Sequence, residues 1–135
     1  PPLHISVAGP DLYAVYADNH LARLRASDGK RVWLATAGGL AEQETYSVTG
    51  IAAGADGCYV IHKDQPTVSK FRAKDGTLAW RTGTPYTDAT QDVPVSIAAS
   101  GRDVVVTCAS GKLAMLRASD GTTVWVVPTA PPNSQ

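Results

Sequence analysis

LRASDGKRVW, residues 24–33, is a ten-residue segment that the chain repeats twice more. The second copy is FRAKDGTLAW at 71–80, and the third is LRASDGTTVW at 116–125. The copies end in Trp33, Trp80 and Trp125, which are the only tryptophans among the 135 residues. They stand 47 and then 45 residues apart. A period of this length is typical of β-propeller blades or of paired-helix repeats.

The residues around each copy favour strands over helices. Short runs of β-branched and aromatic residues, bounded by Gly, Asp, Asn or Pro, are typical of strands. They occur at 3–8, 12–16 and 21–26, at 46–53, 58–62 and 68–73, and at 95–99, 104–108 and 113–118. A fourth strand would carry each Trp, after an Asp-Gly pair that predicts a tight two-residue hairpin turn. The sequence therefore predicts an all-β fold of three four-stranded antiparallel propeller blades.

The repeats also predict how the chain is divided. We expect blade 1 at 1–36, a loop at 37–45, blade 2 at 46–82, a loop at 83–93, blade 3 at 94–127 and a Pro-rich tail at 128–135. Three blades leave two outer faces uncovered. We expect the ring to be completed by a second copy, giving six blades, or by parts of a longer chain. The chain starts Pro-Pro without Met, so we expect it to be a piece of something longer or matured.

Composition excludes several classes of partner. Twelve acidic residues balance twelve basic residues, so no net field attracts nucleic acid or an anionic membrane. No apolar run approaches the roughly 18 residues that span a bilayer, so we expect no membrane insertion. Cys58 and Cys108 fall at opposite ends of strands in neighbouring repeats, so we expect two buried or half-buried free thiols.

The repeat resembles the tryptophan-docking motif of quinoprotein-like propellers, first seen in pyrroloquinoline quinone (PQQ) dehydrogenases. That motif runs roughly Ala-x-Asp-x-x-Thr-Gly-Lys-x-x-Trp. Its Gly and Trp are matched in all three copies, by Gly29, Gly76 and Gly121 and by Trp33, Trp80 and Trp125. The departures are Arg23, Lys70 and Met115 for Ala, Arg25, Arg72 and Arg117 for Asp, and Asp28, Asp75 and Asp120 for Thr. The resemblance implies a propeller fold over nearly the whole chain.

In an enzyme of that family, the resemblance would imply three features: a calcium cluster of acidic and amide groups, an Arg that clamps the cofactor, and adjacent cysteines over the quinone. Here the two cysteines are 50 residues apart, and three blades supply under half of a ring of about eight. The histidines, His4, His20 and His62, lack the close spacing of metal ligands. We therefore expect no cofactor, no metal site and no enzymatic activity.

The repeated residues have a structural interpretation. A Trp on the outermost strand can cover the neighbouring blade and donate its indole N–H to a backbone acceptor. Each Arg before the turn can donate to carbonyls or to a carboxylate at a blade junction. The predicted blade-docking residues are Trp33, Trp80, Trp125, Asp28, Gly29, Asp75, Gly76, Asp120, Gly121, Arg25, Arg72 and Arg117.

A binding face is predicted where the longer loops emerge. Loops between second and third strands leave the sheets at the same end as the inter-blade connections. Binding residues concentrate on such loops when a rigid scaffold carries them. The candidates are Asn19, His20, Glu42, Glu44, Gln65, Tyr86, Asp88 and Gln91.

The resulting prediction is a non-enzymatic binding or scaffold module, such as a protein-interaction or sensor domain of a larger bacterial protein. Two alternatives stay open: a degenerate fragment of a quinone-dependent oxidoreductase, and a scaffold for outer-membrane assembly. The expected partners are a second copy, with a dimer favoured, the remainder of a larger propeller, or another protein.

Overall fold

The computed structural model describes residues 2–16, 20–36, 48–54, 56–62, 67–83 and 94–128. Within these ranges the chain forms three antiparallel four-stranded sheets, each ordered as in the sequence. The first contains β1 Pro2–Ala8, β2 Asp11–Tyr16, β3 His20–Arg25 and β4 Arg31–Thr36; the second β5 Val48–Ala53, β6 Gly57–His62, β7 Thr67–Arg72 and β8 Leu78–Gly83; the third β9 Pro94–Ser100, β10 Asp103–Cys108, β11 Lys112–Arg117 and β12 Thr123–Pro128. The predicted all-β class of three four-stranded blades is confirmed.

The middle blade is covered on both faces. Every residue of β6 is buried, whereas strands of the outer blades alternate or are partly exposed. Side chains alternate between the two faces of a strand. Cys58 and Val60 accordingly join a core with blade 1, and Tyr59 and Ile61 join a core with blade 3. The two hydrophobic cores therefore lie between the blades.

The Asp-Gly turns are longer than the two-residue turns that the sequence predicted. Residues 26–30 connect β3 to β4, and 73–77 and 118–122 are their equivalents. In the first turn the Gly29 N–H donates to the Arg25 carbonyl at 2.8 Å, and Asp28 Oδ1 accepts from the Lys30 N–H at 3.0 Å. Gly29 has φ +73°, which glycine adopts without strain. The need for glycine in this turn was predicted for the right reason. The longer turn also contains a hydrogen bond that was not predicted, in which the aspartate carboxylate accepts from the backbone N–H two residues further along the chain.

An irregularity precedes every tryptophan. Arg23 pairs with Trp33 while Leu24 pairs with Arg31, so one extra residue is inserted in β4. The second and third blades shift register at the same place. Such β-bulges bend the strand locally and re-aim side chains. The bulge is thus a repeated feature that sets the direction of the Trp side chain, and periodicity alone did not indicate it.

The two cysteines are buried and form no disulfide, as predicted. Cys58 is the second residue of β6 and Cys108 is the last residue of β10. Burial raises the pKa of the Cys58 thiol well above its ordinary range. In the described residues, no helix is long and apolar enough to cross a membrane.

The hydrogen bonds of the hairpin aspartates lead us to expect that acid weakens the fold. Hydrogen bonds from the Thr77 hydroxyl and backbone N–H lower the pKa of the Asp75 carboxyl. A carboxyl whose pKa is lower in the folded state stabilises the fold above about pH 4 and loses this contribution as the pH falls. We expect Asp75→Asn to weaken the acid dependence of stability, measured by urea unfolding between pH 7 and 3. Asp103→Asn, outside the turns, is the control, and an unchanged slope for Asp75→Asn would contradict the prediction.

Candidate functional site

Two tryptophans contact the following blade. The Trp33 indole N–H donates to the Ala73 carbonyl at 2.7 Å, and that of Trp80 donates to the Ala118 carbonyl at 2.9 Å. Each indole ring lies against a glycine in the same turn as the accepting alanine, and that glycine has a positive φ. A Cβ on Gly76 or on Gly121 would come within 2.7 Å of the ring. Both the backbone conformation and the ring therefore require glycine there.

A cation from the same blade reaches the same carbonyl. Arg23 donates from Nη1 to the Ala73 oxygen and pairs through Nη2 with Asp11 at 2.9 Å. Lys70 Nζ donates to the Ala118 oxygen at 2.9 Å and to Asp56 Oδ2 at 3.1 Å. Charged donors make the stronger class of hydrogen bond. Each carbonyl thus accepts two hydrogen bonds from the preceding blade, one from an indole N–H and one from a cation.

A tyrosine completes the arrangement on the second strand. The rings of Tyr13 and Trp33 are 6.1 Å apart at 40°, and those of Tyr59 and Trp80 have the same separation and tilt. Lys70 Nζ lies 5.6 Å from the centre of the Tyr59 ring. Burial is the main cause that raises the pKa of Tyr13 to about 12. We call Trp, Tyr and the cation of one blade, with the Gly and Ala carbonyl of the next, the junction set.

The third blade departs from this pattern. Met115 stands at the position of the cation, and it pairs with Val105 and with Trp125. Val105 stands at the position of the tyrosine, and Trp125 at that of the tryptophan. Its outer face therefore keeps the indole but has neither the tyrosine nor the cation. At the opposite end of the chain, a Cβ on Gly29 would meet nothing within 4 Å. Each end of the chain thus carries half of a junction set.

The arginines of the motif make their hydrogen bonds within their own hairpins. Arg25 Nη2 pairs with Asp28 at 2.9 Å. Arg72 donates to the Thr77 hydroxyl at 3.1 Å, and Arg117 donates to the Thr122 hydroxyl at 3.2 Å. All three arginines are exposed. The cross-blade donors are instead Arg23 and Lys70, which in the sequence stand out only as departures from the motif.

Of the predicted binding-face residues, the structure describes His20, a partly exposed residue at the start of β3. Asn19, Glu42, Glu44, Gln65, Tyr86, Asp88 and Gln91 lie outside the described residues. The predicted loop 37–45, residues 84–93 of the second predicted loop and residues 129–135 of the tail lie outside them as well, whereas Gly83 is the last residue of β8. The binding role of the loop end therefore stays a prediction.

The hairpin end, by contrast, has a cleft between blades 2 and 3. Its volume is about 650 Å³. The lining residues are Asp56, Gly101, Arg102, Asp103, Arg117, Ala118, Ser119 and Val124. Its lining includes acidic and basic side chains, and part of its wall is apolar. Across the described part of the chain, no three His, Cys, Asp or Glu side chains are grouped to hold a metal ion.

Three sheets packed through repeated tryptophan contacts define a segment of a β-propeller. The family described as outer membrane protein assembly factor BamB matches residues 3–135, so the chain belongs to this family. The predicted membership of the PQQ-like repeat propellers is thereby confirmed. A search of curated proteins found no significant match.

Solved structures show the same fold at low identity. BamB from Moraxella catarrhalis is 20% identical with a TM-score of 0.68, over 90% of this chain and 36% of that one. Hsv2 from Kluyveromyces marxianus is 12% identical, TM-score 0.72, over 94% and 41%. Sqt1 from Saccharomyces cerevisiae is 13% identical, TM-score 0.72, over 93% and 34%. The chain therefore spans between a third and about two fifths of these structures.

The cation of the junction set is testable at Lys70. Lys70→Met places in blade 2 the residue that blade 3 has, and it removes both polar contacts while leaving the Ala118 carbonyl to Trp80. Because a buried hydrogen bond from a charged group contributes about 1.5–3 kcal/mol, we expect a loss of that order in urea unfolding. Lys74→Met, an exposed lysine of the adjacent turn, is the matched control. Equal effects of the two substitutions would contradict a specific role for Lys70.

Quinone and metal binding can be tested directly. The absence of a calcium cluster and of adjacent cysteines from the sequence leads us to expect no specific binding of PQQ or Ca²⁺. Calorimetric titration of the chain with PQQ in the presence of Ca²⁺ is the measurement. Saturable binding tighter than about 10 μM, or about −7 kcal/mol, would revive the oxidoreductase alternative.

Proposed function

We propose that the chain is a non-enzymatic scaffold segment that binds another protein in outer-membrane protein assembly. Of the functions that the sequence left open, the family match over residues 3–135 supports this one. A fold hosts many functions, so the proposal rests on that match and not on the propeller alone.

The packing of the repeats supports a scaffold. The contacts between blades are made by Trp33, Trp80, Arg23 and Lys70. Such contacts make neighbouring blades one rigid support, on which loops can be held for recognition. Of the predicted blade-docking residues, those that hold the support together on this view are Trp33, Trp80, Gly76 and Gly121.

We place partner recognition at the loop end. The inter-blade segments 37–45 and 83–93 are long and polar, whereas the hairpin end carries short turns. The candidates remain Asn19, His20, Glu42, Glu44, Gln65, Tyr86, Asp88 and Gln91. The hairpin-end cleft is the competing surface, so an experiment has to compare the two ends.

Photo-crosslinking in the cell that produces the protein makes this comparison. A photoreactive amino acid replaces Asn19 or Glu42 at the loop end, and Ser27 or Ser119 at the hairpin end as matched controls. We expect the loop positions to crosslink to a component of outer-membrane protein assembly, identified by mass spectrometry, and the hairpin positions to give much less. Crosslinks from the hairpin end alone would refute the loop-end site. No assembly component from any of the four positions would refute the function.

A further inference from the structure

The middle copy of the repeated segment differs from the other two at a pair of positions. Its turn has Lys74 where both other copies have Ser, and before the tryptophan it has Ala79 where both have Val. The first difference adds a positive charge to an exposed turn, and the second removes two methyl groups from the adjoining strand. Blade 2 therefore gains charge and space that its neighbours lack.

Both residues line one cleft at the hairpin end, beside the larger cleft described above. Its volume is about 420 Å³. Blade 2 supplies most of its wall, and blade 3 adds a serine from its own turn. Both blades lie within this chain, so the wall does not depend on what covers the outer faces of blades 1 and 3. We call it the lysine cleft; its lining includes Asp56, Lys70, Arg72, Lys74, Ala79 and Ser119.

The buried cation of the second junction lines this cleft with one donor to spare. Lys70 is only 5% exposed. Its ammonium group has three N–H donors. In the part of the chain that the structure describes, it has two acceptors, Asp56 Oδ2 at 3.1 Å and the Ala118 carbonyl at 2.9 Å. Because an unused donor on a buried charged group is costly, Lys70 favours a further acceptor atom in the cleft.

The exposed rim of the cleft is basic as well. Arg72 donates from Nη1 within its own hairpin, at 3.0 and 3.1 Å, so its Nε and Nη2 donors remain for another acceptor. With Lys70 and Lys74, it sets three cations against the single carboxylate of Asp56. The nearby Asp75 carboxylate lies outside the lining and accepts from donors of its own turn. The lining therefore carries an excess of two positive charges, in a chain whose total charge is zero.

One arginine and two lysines around a small space suit an oxyanion. Arginine binds phosphate through its planar fork, and the lysine ammonium is a compact donor to the same group. A phosphate monoester carries about two negative charges at pH 7, which balances the excess in the lining. A carboxylate or a phosphodiester carries only a single charge. The Ser119 hydroxyl adds a neutral donor from blade 3.

We propose that the lysine cleft binds the phosphate group of a small phosphate monoester. Its donors are the third N–H of Lys70, the remaining donors of Arg72 and the ammonium of Lys74. The lysine cleft shares Ser119 with the larger cleft, so the organic part of the ligand extends toward the apolar side chain of Val124. This site lies at the end opposite the predicted binding face and does not rest on the proposed scaffold function.

Inorganic phosphate is the first probe, in a titration at pH 8 and constant ionic strength followed by NMR of the backbone amides. We expect saturable shifts, with a Kd in the millimolar range, at Ala73, Lys74 and Ser119. The amides of Ala26 and Ser27, in the equivalent turn of the first repeat, should not shift. Absence of a saturable shift in the second turn, or equal shifts in both turns, would overturn the proposal.

Two organic probes define the class of ligand. Phenyl phosphate, a monoester, should bind at least as tightly as inorganic phosphate. Dimethyl phosphate, which has the single charge of a lipid phosphodiester, should bind much more weakly. Exclusion of phenyl phosphate would leave a site for an inorganic ion only and overturn the assignment to an ester. Equal affinity for the monoester and the diester would overturn the argument from charge.

Substitutions that copy the neighbouring repeats test the position of the site. Lys74→Ser removes one cation, and Ala79→Val fills the cleft. We expect Lys74→Ser to raise the Kd for phosphate about fivefold, as the loss of one exposed charge pair does. Ala79→Val should raise it as well, without a change in charge. Circular dichroism checks that both variants fold.

Lys30→Thr is the matched control for the lost charge. Like Lys74→Ser, it removes an exposed lysine from a hairpin turn and introduces the residue that both other copies have. We expect it to leave the Kd for phosphate unchanged. Equal effects of Lys30→Thr and Lys74→Ser would show unspecific attraction of the anion and overturn the site.

Discussion

A single backbone carbonyl at each blade junction receives both the indole N–H and the cation of the preceding blade. At the first junction this oxygen belongs to Ala73, and Trp33 and Arg23 are its donors. A carbonyl has two lone pairs, so both donors are accommodated without competition. The remaining features follow from this contact. The turn must present the carbonyl outward, its glycine must leave room for the ring, and the bulge must aim the ring at it.

The hydrophobic cores lie between the sheets for a separate reason. A four-stranded sheet has no interior of its own, so its apolar side chains are covered only by the next sheet. The aromatic pairs Tyr13–Trp33 and Tyr59–Trp80 supply much of that cover. The indole N–H groups of these pairs lie near the hairpin end, where the Ala73 and Ala118 carbonyls accept them. Hydrophobic packing and polar pairing are therefore arranged along the same strands.

The repeat made the fold predictable, but the chemistry of the junction was less so. Trp33, Trp80 and the Asp-Gly turns recur at a fixed period, and each has a simple physical reason to recur. Arg23 and Lys70 could not be identified in this way, because Met115 breaks their pattern and strand register decides what they face. Arg25, in contrast, recurs in every blade and yet binds only within its turn. Perfect repetition therefore does not distinguish a residue that acts within one hairpin, such as Arg25, from a residue that joins two blades, such as Trp33.

The apolar outer face of blade 3 has a consequence for how similar units are kept in order. A chain of near-identical blades could pair in several permutations, since every blade offers a similar glycine and carbonyl. Arg23 and Lys70 disfavour permutations that bury them without an acceptor, because an unpaired buried charge is costly. The Met115 side chain is uncharged and needs no hydrogen-bond acceptor when it is buried. The loss of one cation therefore distinguishes blade 3 from blades 1 and 2, and the order of the three blades is encoded in residues that differ between the repeats.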